Sequence, residues 1–268
     1  MRIGVLVKQV PATETKIVIS EDATGINTGD VSWIISPYDE HALEAGIALK
    51  EAGKAEEVVV ITLGGTKADK QLRDALARGK PGPAGADRGV WLDDEAFVGV
   101  DPLGVSRALA AIIQREEIGL VLAGKHAIDD DNCQVPAMLA DLLGWPEVSS
   151  ISELEVNDGS FTAHRPGPGG AVEVVSGALP AVLTADKALN TPRYSSLPGI
   201  MKAKKKPLDK FSASDLELGQ TVGPGASRVQ INNLGYPAAR PEGRVLEGEP
   251  VEVVAELVRL LREEVKVL

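Results

Sequence analysis

Four short apolar runs, separated from one another by segments with helical periodicity, constrain the fold of this 268-residue chain more than any other feature. A strand that is covered on both faces reads as a nearly continuous apolar run, so each run predicts a buried strand. Strands that are joined through helices form a parallel sheet with right-handed crossovers. The four runs are residues 3–7, 58–63, 89–92 and 118–123.

Helix signals follow the predicted strands. Ser36 and Pro37 supply an N-cap and a first-turn proline, and Gly53 ends the helix that they begin. A second helix is expected to open at residues 64–66, and a third at the dipeptide Asp101-Pro102. The apolar side chains expected to face the sheet are Leu43, Ile47, Leu49, Leu72, Ala75, Leu76, Leu109, Ile112 and Ile113.

Two β-rich regions interrupt or follow this alternation. Residues 16–35 contain two extended segments around turn sequences, which predict a hairpin excursion before the first helix. After residue 146, runs at residues 149–156 and 160–164 flank Asn157-Asp158-Gly159, and further runs follow at residues 171–175 and 181–184. We therefore expect a doubly wound, mainly parallel α/β domain over residues 1–186, with an antiparallel β extension of the sheet.

The rest of the chain, residues 187–268, has a different character. Proline, glycine and lysine become frequent, and regular periodicity returns only in a final amphipathic helix. A long irregular segment that ends in an anchoring helix is typical of an arm that embraces another chain. The apolar stripe of the final helix consists of Val251, Val254, Leu257, Leu261 and Val265.

Composition excludes several classes of protein. A formal net charge of -11 and an aromatic content of 3% argue against a nucleic-acid partner. No apolar stretch approaches the roughly 20 residues that cross a bilayer, and no cleavable leader precedes the first strand, so we expect a cytoplasmic protein. Cys133 is the single cysteine, which excludes an internal disulfide and a thiolate ligand set for a metal cluster.

The strand at residues 118–123 ends at Gly124 and opens into an acid-rich turn before Pro136. Backbone N–H groups converge where a buried strand gives way to a helix N-terminus, and this arrangement predicts a bound adenine nucleotide or flavin. Three consecutive aspartates, residues 129–131, lack the alternating spacing of a calcium loop, so we predict no metal site. Instead we expect an aspartate to cap the helix, Cys133 to be partly buried, and a phosphate to bind the amides of residues 132–135.

No set of residues elsewhere points to catalysis. The chain has no Gly-x-Ser-x-Gly elbow, no Walker lysine motif, and no histidine and carboxylate at a recognisable spacing. His41 is expected to be a surface or satisfied core histidine, whereas His126, beside the predicted nucleotide, is open between a binding and a structural role. The sequence therefore predicts a cofactor-binding protein without catalytic residues of its own.

Five motifs, in this order along the chain, resemble the β subunit of electron transfer flavoprotein. The first two are Val7-Lys-Gln-Val-Pro11 at the end of the first strand and Ser36-Pro-Tyr-Asp39. The third runs from Gly124 to Gln134, and the fourth is Pro180-Ala-Val-Leu-Thr184. The fifth, from Pro192 to Lys206, reads PRYSSLPGIMKAKKK, so the resemblance covers residues 1–206.

The resemblance implies an adenine-nucleotide α-hydrolase-like fold that buries a structural AMP, and a partner α subunit that holds the redox FAD. It also implies a role in carrying electrons from acyl-CoA and other flavin dehydrogenases to a quinone reductase. Residues 191–203 would be a recognition loop, with Leu197 as the side chain that docks on dehydrogenases, and Tyr38 would reach an edge of the flavin. The implied AMP contacts are Leu6, Ser36, Pro37, Tyr38, Asp39, Leu63, Gly124, Lys125, His126, Ala127, Ile128, Asp129, Asp130, Asp131, Asn132, Cys133, Gln134 and Val135.

Three alternatives stay open at this point. Electron-bifurcating relatives place a second FAD where the AMP sits, although Asp130-Asp131-Asn132 resembles the simple carrier type. An adenine-nucleotide sensor without a redox role would have the same α/β shape, but it would not need the long arm. Lys202 and residues 204–206 are either a solvated run or a cluster that steers an acidic partner.

Overall fold

The computed structural model describes residues 1–65, 68–79, 85–240 and 242–268. These residues form two compact units, Met1–Asn232 and Asn233–Leu268. The strands are β1 (Arg2–Leu6), β2 (Gln9–Pro11), β3 (Trp33–Ile35), β4 (Glu57–Leu63), β5 (Arg88–Leu92), β6 (Ile118–Gly124), β7 (Glu147–Ile151), β8 (Glu153–Asn157), β9 (Ser160–Pro166), β10 (Val172–Ala178), β11 (Ala181–Ala185) and β12 (Leu208–Phe211). The α-helices are α1 (Pro37–Glu51), α2 (Ala68–Ala77), α3 (Pro102–Arg115), α4 (Val135–Leu143), α5 (Leu197–Ala203) and α6 (Pro250–Leu260).

A seven-stranded parallel sheet in the order β12-β5-β4-β1-β6-β11-β7 forms the centre of the first unit. The four predicted apolar runs are the adjacent strands β5, β4, β1 and β6 of this sheet. Their residues are almost all buried because both faces of the sheet are covered by helices. The prediction of an α/β fold with a parallel sheet is confirmed.

Alternate residues of each central strand enter two separate cores. Ile3 and Val5 of β1 point toward the core that contains α1 and α2, whereas Leu6 points toward the core that contains α3 and α4. The sheet is therefore wound on both faces, as predicted. Leu43, Ile47, Leu72, Ala75, Leu76, Leu109, Ile112 and Ile113 are buried as expected, while Leu49 is partly buried.

The antiparallel element is a separate three-stranded sheet in the order β10-β9-β8, so the prediction that it extends the central sheet is wrong. The predicted hairpin at Asn157-Asp158-Gly159 is confirmed between β8 and β9, with Gly159 at a φ of 72°. The run at residues 149–156 divides at Ser152, and its first part belongs to β7. Strand β11 also joins the central sheet, between β6 and β7, where both of its faces are buried.

The region before α1 contains a two-stranded antiparallel pair of β2 with β3. Between these strands the chain makes a single antiparallel bridge, Ile19 to Ile26, around the turn in which Ser20 Oγ and Asp22 Oδ1 hydrogen bond. The strand that pairs with Trp33–Ile35 is therefore β2, which lies before residue 16 and follows β1 along the chain.

Residues 187–232 pack with the sheet rather than apart from it. Strand β12 pairs in parallel with β5 at the sheet edge, and α5 packs on α2. The predicted boundary at residue 186 thus differs from the division in the structure, which falls after Asn232. An edge strand of four residues is too short to show a recognisable hydrophobic periodicity in the sequence.

The second unit, Asn233–Leu268, contains α6, which continues into a π-turn at Leu261–Val265. The predicted final helix is confirmed. Of its apolar stripe, Val251, Val254, Leu257 and Val265 are exposed in this chain. The polar side of the helix carries Arg259, which forms ion pairs with Glu256 and Glu263.

Candidate nucleotide-binding site

A cavity of about 750 Å³ lies at the carboxyl edge of the central sheet. It opens where β1, β4 and β6 end and where α1, α3 and α4 begin, which is the position at which α/β sheets bind nucleotides. The predicted residues that line it come from all three strand ends. They are Leu6, Asp39, Leu63, Gly124, His126, Ala127, Asp130, Asn132, Cys133, Gln134 and Val135.

The remaining predicted contacts do not line the cavity. Ser36 is completely buried at the start of α1, and its Oγ is a buried polar atom without a hydrogen-bond partner in the described chain. Tyr38 forms an edge contact with the ring of His126, with centroids 4.5 Å apart. Lys125 Nζ lies 4.8 Å from the centre of the Tyr38 ring and 2.9 Å from Asp186 Oδ2. Pro37, Ile128, Asp129 and Asp131 are likewise outside the set of lining residues.

Asp39 joins two strand ends beneath the cavity. Its carboxylate accepts the N–H of Lys8 at 2.7 Å through Oδ2 and the N–H of Gly124 at 2.9 Å through Oδ1. A Cβ on Gly124 would lie 2.5 Å from Asp39 Oδ1 and 2.8 Å from the Asp39 nitrogen, so this position requires glycine. The start of α1 is therefore held against the end of β6 at backbone contact distance.

The Asp39 carboxyl is expected to make stability depend on pH. Burial raises the pKa of Asp39 to about 7, although the two N–H donors oppose this shift. Between about pH 4 and pH 7 the folded carboxyl keeps a proton that the unfolded chain has released, so the free energy of unfolding falls as the pH rises. Relative to Asp39→Asn, the free energy of unfolding of the wild type should fall by up to about 4 kcal/mol across this window, at about 1.4 kcal/mol per pH unit. Denaturant unfolding of both proteins at several pH values measures this, and a difference that does not change with pH would contradict it.

The three aspartates of the acid-rich turn do not cap α4, and the prediction that one of them does is wrong. Gln134 occupies the N-cap position, without a side-chain hydrogen bond to the helix. Lys8, at the end of β1, binds Asp129 Oδ1 at 2.9 Å and Asp130 Oδ2 at 3.0 Å. This ammonium draws the carboxylates away from the helix start and neutralises charge that would repel a phosphate. Burial alone would lower the pKa of Lys8, but the two aspartates outweigh it and raise the pKa, so the ammonium stays charged.

The backbone before α4 has a conformation that suits an anion. Cys133 has a φ of 56° and the following Gln134 is right-handed, a combination that turns successive N–H groups toward one point. The N–H of Val135, in the first helical turn, has no intrahelical acceptor. The N–H of Asn132 instead donates to Asp130 Oδ1 at 3.2 Å, which leaves the amides of residues 133–135 for a phosphate.

Cys133 is exposed, so the prediction of a partly buried thiol is wrong. The backbone at this residue is left-handed, and Sγ lies 3.7 Å from His126 Nδ1. His126 Nε2 lies 3.3 Å from Asp131 Oδ1. His41 Nδ1 donates a hydrogen bond to the carbonyl oxygen of Asn190 at 3.0 Å, as a satisfied structural histidine would.

Two walls of the cavity were not predicted from the sequence. One is the start of α3, where Asp101-Pro102 was predicted as a helix start but not as part of a site, although it also follows a strand of the sheet. The other is residues 227–232, which carry no motif. The residues that these walls add are Phe97, Gly99, Val100, Asp101, Pro102, Val105, Leu109, Ser227, Val229, Gln230, Ile231 and Asn232.

The cavity has the volume and the mixed lining of a small-molecule binding site. Its inner wall is apolar, with Leu6, Ile61 and Leu109, whereas the amides before α4 lie at one side. In the described residues no cluster of three histidine, cysteine or acidic side chains is arranged to hold a metal ion. Nor does any helix in that part of the chain have the length and apolarity to span a membrane.

Comparison with known proteins places these features in a family. Residues 24–216 match the electron transfer flavoprotein domain. The chain is 39% identical over 268 residues to the electron transfer flavoprotein subunit beta of Bradyrhizobium diazoefficiens and 40% identical over 270 residues to that of Bacillus subtilis. Both alignments cover 100% of each chain.

A third relative is named as a subunit of a larger complex. It is the caffeyl-CoA reductase-Etf complex subunit CarD of Acetobacterium woodii, which is 37% identical over 266 residues, covering 98% of each chain. Full-length similarity at this level, together with the sheet and the cavity at its edge, identifies the family. The chain belongs to the electron transfer flavoprotein β-subunit family.

Proposed function

We propose that this chain is the β subunit of a heterodimeric electron transfer flavoprotein that carries electrons from flavin dehydrogenases, including acyl-CoA dehydrogenases, to a quinone reductase. The observation that carries the proposal is the full-length similarity to electron transfer flavoprotein β subunits. In this proposal the α subunit holds the redox FAD, and this chain holds a structural AMP. Such similarity gives no support to a non-redox adenine-nucleotide sensor.

The cavity supports AMP as the ligand of this chain. Its apolar inner wall suits an adenine ring, and the amides of residues 133–135 suit a single phosphate. Among the described residues that line the cavity, the one ammonium is that of Lys8, and its pairing with Asp129 and Asp130 leaves it unavailable to a longer polyphosphate. We infer that the nucleotide fastens the ends of β1, β4 and β6 to the starts of their helices.

Electron transfer requires no acidic or basic side chain from this chain, because electrons move between cofactors that lie close together. The FAD, when bound to the α subunit, supplies the redox chemistry. Tyr38 is half-buried between Lys125 and His126 and is the aromatic side chain that we propose for contact with the flavin edge. The ion pair of Lys125 with Asp186 holds this cluster in place.

The second unit supports the α-subunit partnership. Val251 and Val254 of α6 are 82% and 58% exposed, and Leu257 is 45% exposed. An apolar helix stripe of this kind is stable in water only when another surface covers it. We propose that residues 233–268 embrace the α subunit through this stripe.

Docking on dehydrogenases is assigned to α5 and the residues before it. Leu197 is the first residue of α5 and is 80% exposed, so its side chain is available to a partner. Ser196 caps the helix by accepting the N–H of Gly199, which fixes the direction of Leu197. Lys202, Lys204 and Lys205 are exposed and would steer an acidic partner, whereas Lys206 Nζ donates to the carbonyl oxygens of Leu76 and Ala86 and is structural.

The bifurcating alternative is favoured by one relative, CarD, whose name places it in a reductase-Etf complex. In that case the cavity would hold a second FAD.

The test is to co-purify this chain with its α subunit, count flavins per heterodimer, and mix the protein with a flavin dehydrogenase and its substrate. One flavin that is reduced by the dehydrogenase is the expected result. Two flavins would favour the alternative, and a flavin that dehydrogenases do not reduce would overturn the carrier function.

A further inference from the structure

One wall of the cavity is a peptide segment from far along the chain. Residues 227–232 are here called the strap, and of these Ser227 and residues 229–232 line the cavity. Val229 and Ile231 line the cavity and are 64% and 60% exposed, so little side-chain burial holds the strap in place. A ligand at the strand ends would lie in the same cavity as these strap residues.

Asp101 anchors the strap at one point. The carboxylate accepts the N–H of Arg228 at 2.6 Å through Oδ2 and the N–H of Gly104, in the first turn of α3, at 2.9 Å through Oδ1. In addition, the N–H of Asp101 donates to Ser227 Oγ at 3.1 Å. One side chain therefore caps α3 and ties the strap to it.

The Asp101 carboxyl group is held in its ionised form. Burial alone would raise the pKa of Asp101, but the N–H groups of Gly104, Arg228 and Val229 outweigh burial and lower it. The carboxylate is ionised at neutral pH, and hydrogen bonds to a charged acceptor are stronger than those between neutral groups. Ser227 Oγ also lies 3.5 Å from the carbonyl oxygens of Gly99 and Gly223, a long distance for a hydrogen bond, so in the described residues Asp101 makes the shortest polar contacts with the strap.

We propose that Asp101 is a positioning residue that latches the strap over the bound nucleotide, so that the nucleotide leaves only when the bond between Asp101 and the Arg228 amide opens. This inference rests on the proposed function, because it takes an adenine nucleotide as the ligand. It adds a residue and a segment that control how long the nucleotide stays. The apolar side chains of Val229 and Ile231 complete the wall by excluding water.

The test compares two substitutions at one position. Arg228→Pro removes the N–H donor and leaves Asp101 and its cap on α3 intact, and Ser227, with φ of -65° and ψ of 135°, already has a conformation that suits a residue before proline. Arg228→Ala keeps the N–H and loses only the side chain. We expect exchange of bound AMP for radiolabelled AMP in the purified heterodimer to be roughly tenfold faster for Arg228→Pro, the effect of losing one hydrogen bond to a charged group. Arg228→Ala should exchange at the wild-type rate.

A second pair of variants keeps the test decisive if the proline variant does not fold. Asp101→Ser retains a side chain that caps α3 but loses the second acceptor oxygen, and it should also speed exchange. Asp94→Asn is the control, because Asp94 similarly accepts the N–H groups of Ala96 and Ala213 but lies outside the cavity. Equal exchange rates for Asp101→Ser, Asp94→Asn and the wild type would overturn the latch while leaving the proposed function in place. A wild-type heterodimer without any bound adenine nucleotide would instead overturn the proposed function.

Discussion

Gly124→Ala is expected to lower the free energy of unfolding by about 3 kcal/mol, at the upper end of the usual cost of overpacking, because the contact is rigid. The variant should also lose its bound nucleotide. The added Cβ would lie 2.5 Å from Asp39 Oδ1 and 2.7 Å from Tyr38 Cβ. Neither neighbour can give way easily, since the Asp39 carboxylate also holds the N–H of Lys8 and Tyr38 is in the first turn of α1. The start of α1 would separate from the end of β6, and both contribute to the cavity.

Gly119→Ala is a matched control on the same strand. There the added Cβ meets its nearest atom, Met1 Cβ, at an ordinary 3.7 Å. Both substitutions restrict the unfolded chain equally, so their difference reports the contact at Gly124. Denaturant unfolding and nucleotide content of the two purified variants decide the matter, and a Gly124→Ala protein as stable as Gly119→Ala would show that the close approach of α1 to β6 is not needed.

Leu197→Ala is expected to lower kcat/KM for reduction by a flavin dehydrogenase about 30-fold. A leucine side chain that is buried on docking contributes about 2 kcal/mol, and each 1.4 kcal/mol corresponds to a factor of ten. Because Leu197 is 80% exposed in this chain, the substitution should leave the free energy of unfolding, the nucleotide content and the heterodimer unchanged.

The effect should be specific to the docking surface. Val98→Ala is a suitable control, because Val98 is also largely exposed, at 66%, but lies outside α5 and the residues before it. Steady-state reduction of both variants across a range of carrier concentrations separates the two expectations. An unchanged kcat/KM for Leu197→Ala would remove the docking role from this residue.

The central sheet was predictable where strands are buried on both faces, because burial leaves a continuous apolar run in the sequence. Strands β5, β4, β1 and β6 all have this pattern. Strand β11 has it as well, but the hairpin signals before it suggested that it belonged to the antiparallel element. Strand β12, with Asp209 and Lys210 exposed at the sheet edge, leaves no such run, and pairing with β5 alone decides its place.

The candidate site was predictable at the strand ends and unpredictable at its outer wall. Strand ends of a parallel sheet must converge, so residues near Leu6, Leu63 and Gly124 were expected to meet. The strap reaches the site through Asp101, a contact across 127 positions that no local pattern signals. For the same reason the aspartates of the turn were misassigned, since their partner Lys8 lies on a different strand end.

The central claim is that the cavity at the sheet edge holds a structural adenine nucleotide while a partner polypeptide holds the redox flavin. Denaturing the purified heterodimer, separating its chains from the released small molecules, and identifying those molecules by absorbance and mass tests this most directly. We predict one AMP and one FAD per heterodimer. A preparation that releases FAD but no AMP, or a wild-type β chain that refolds with its α subunit equally well without any nucleotide, would contradict the claim.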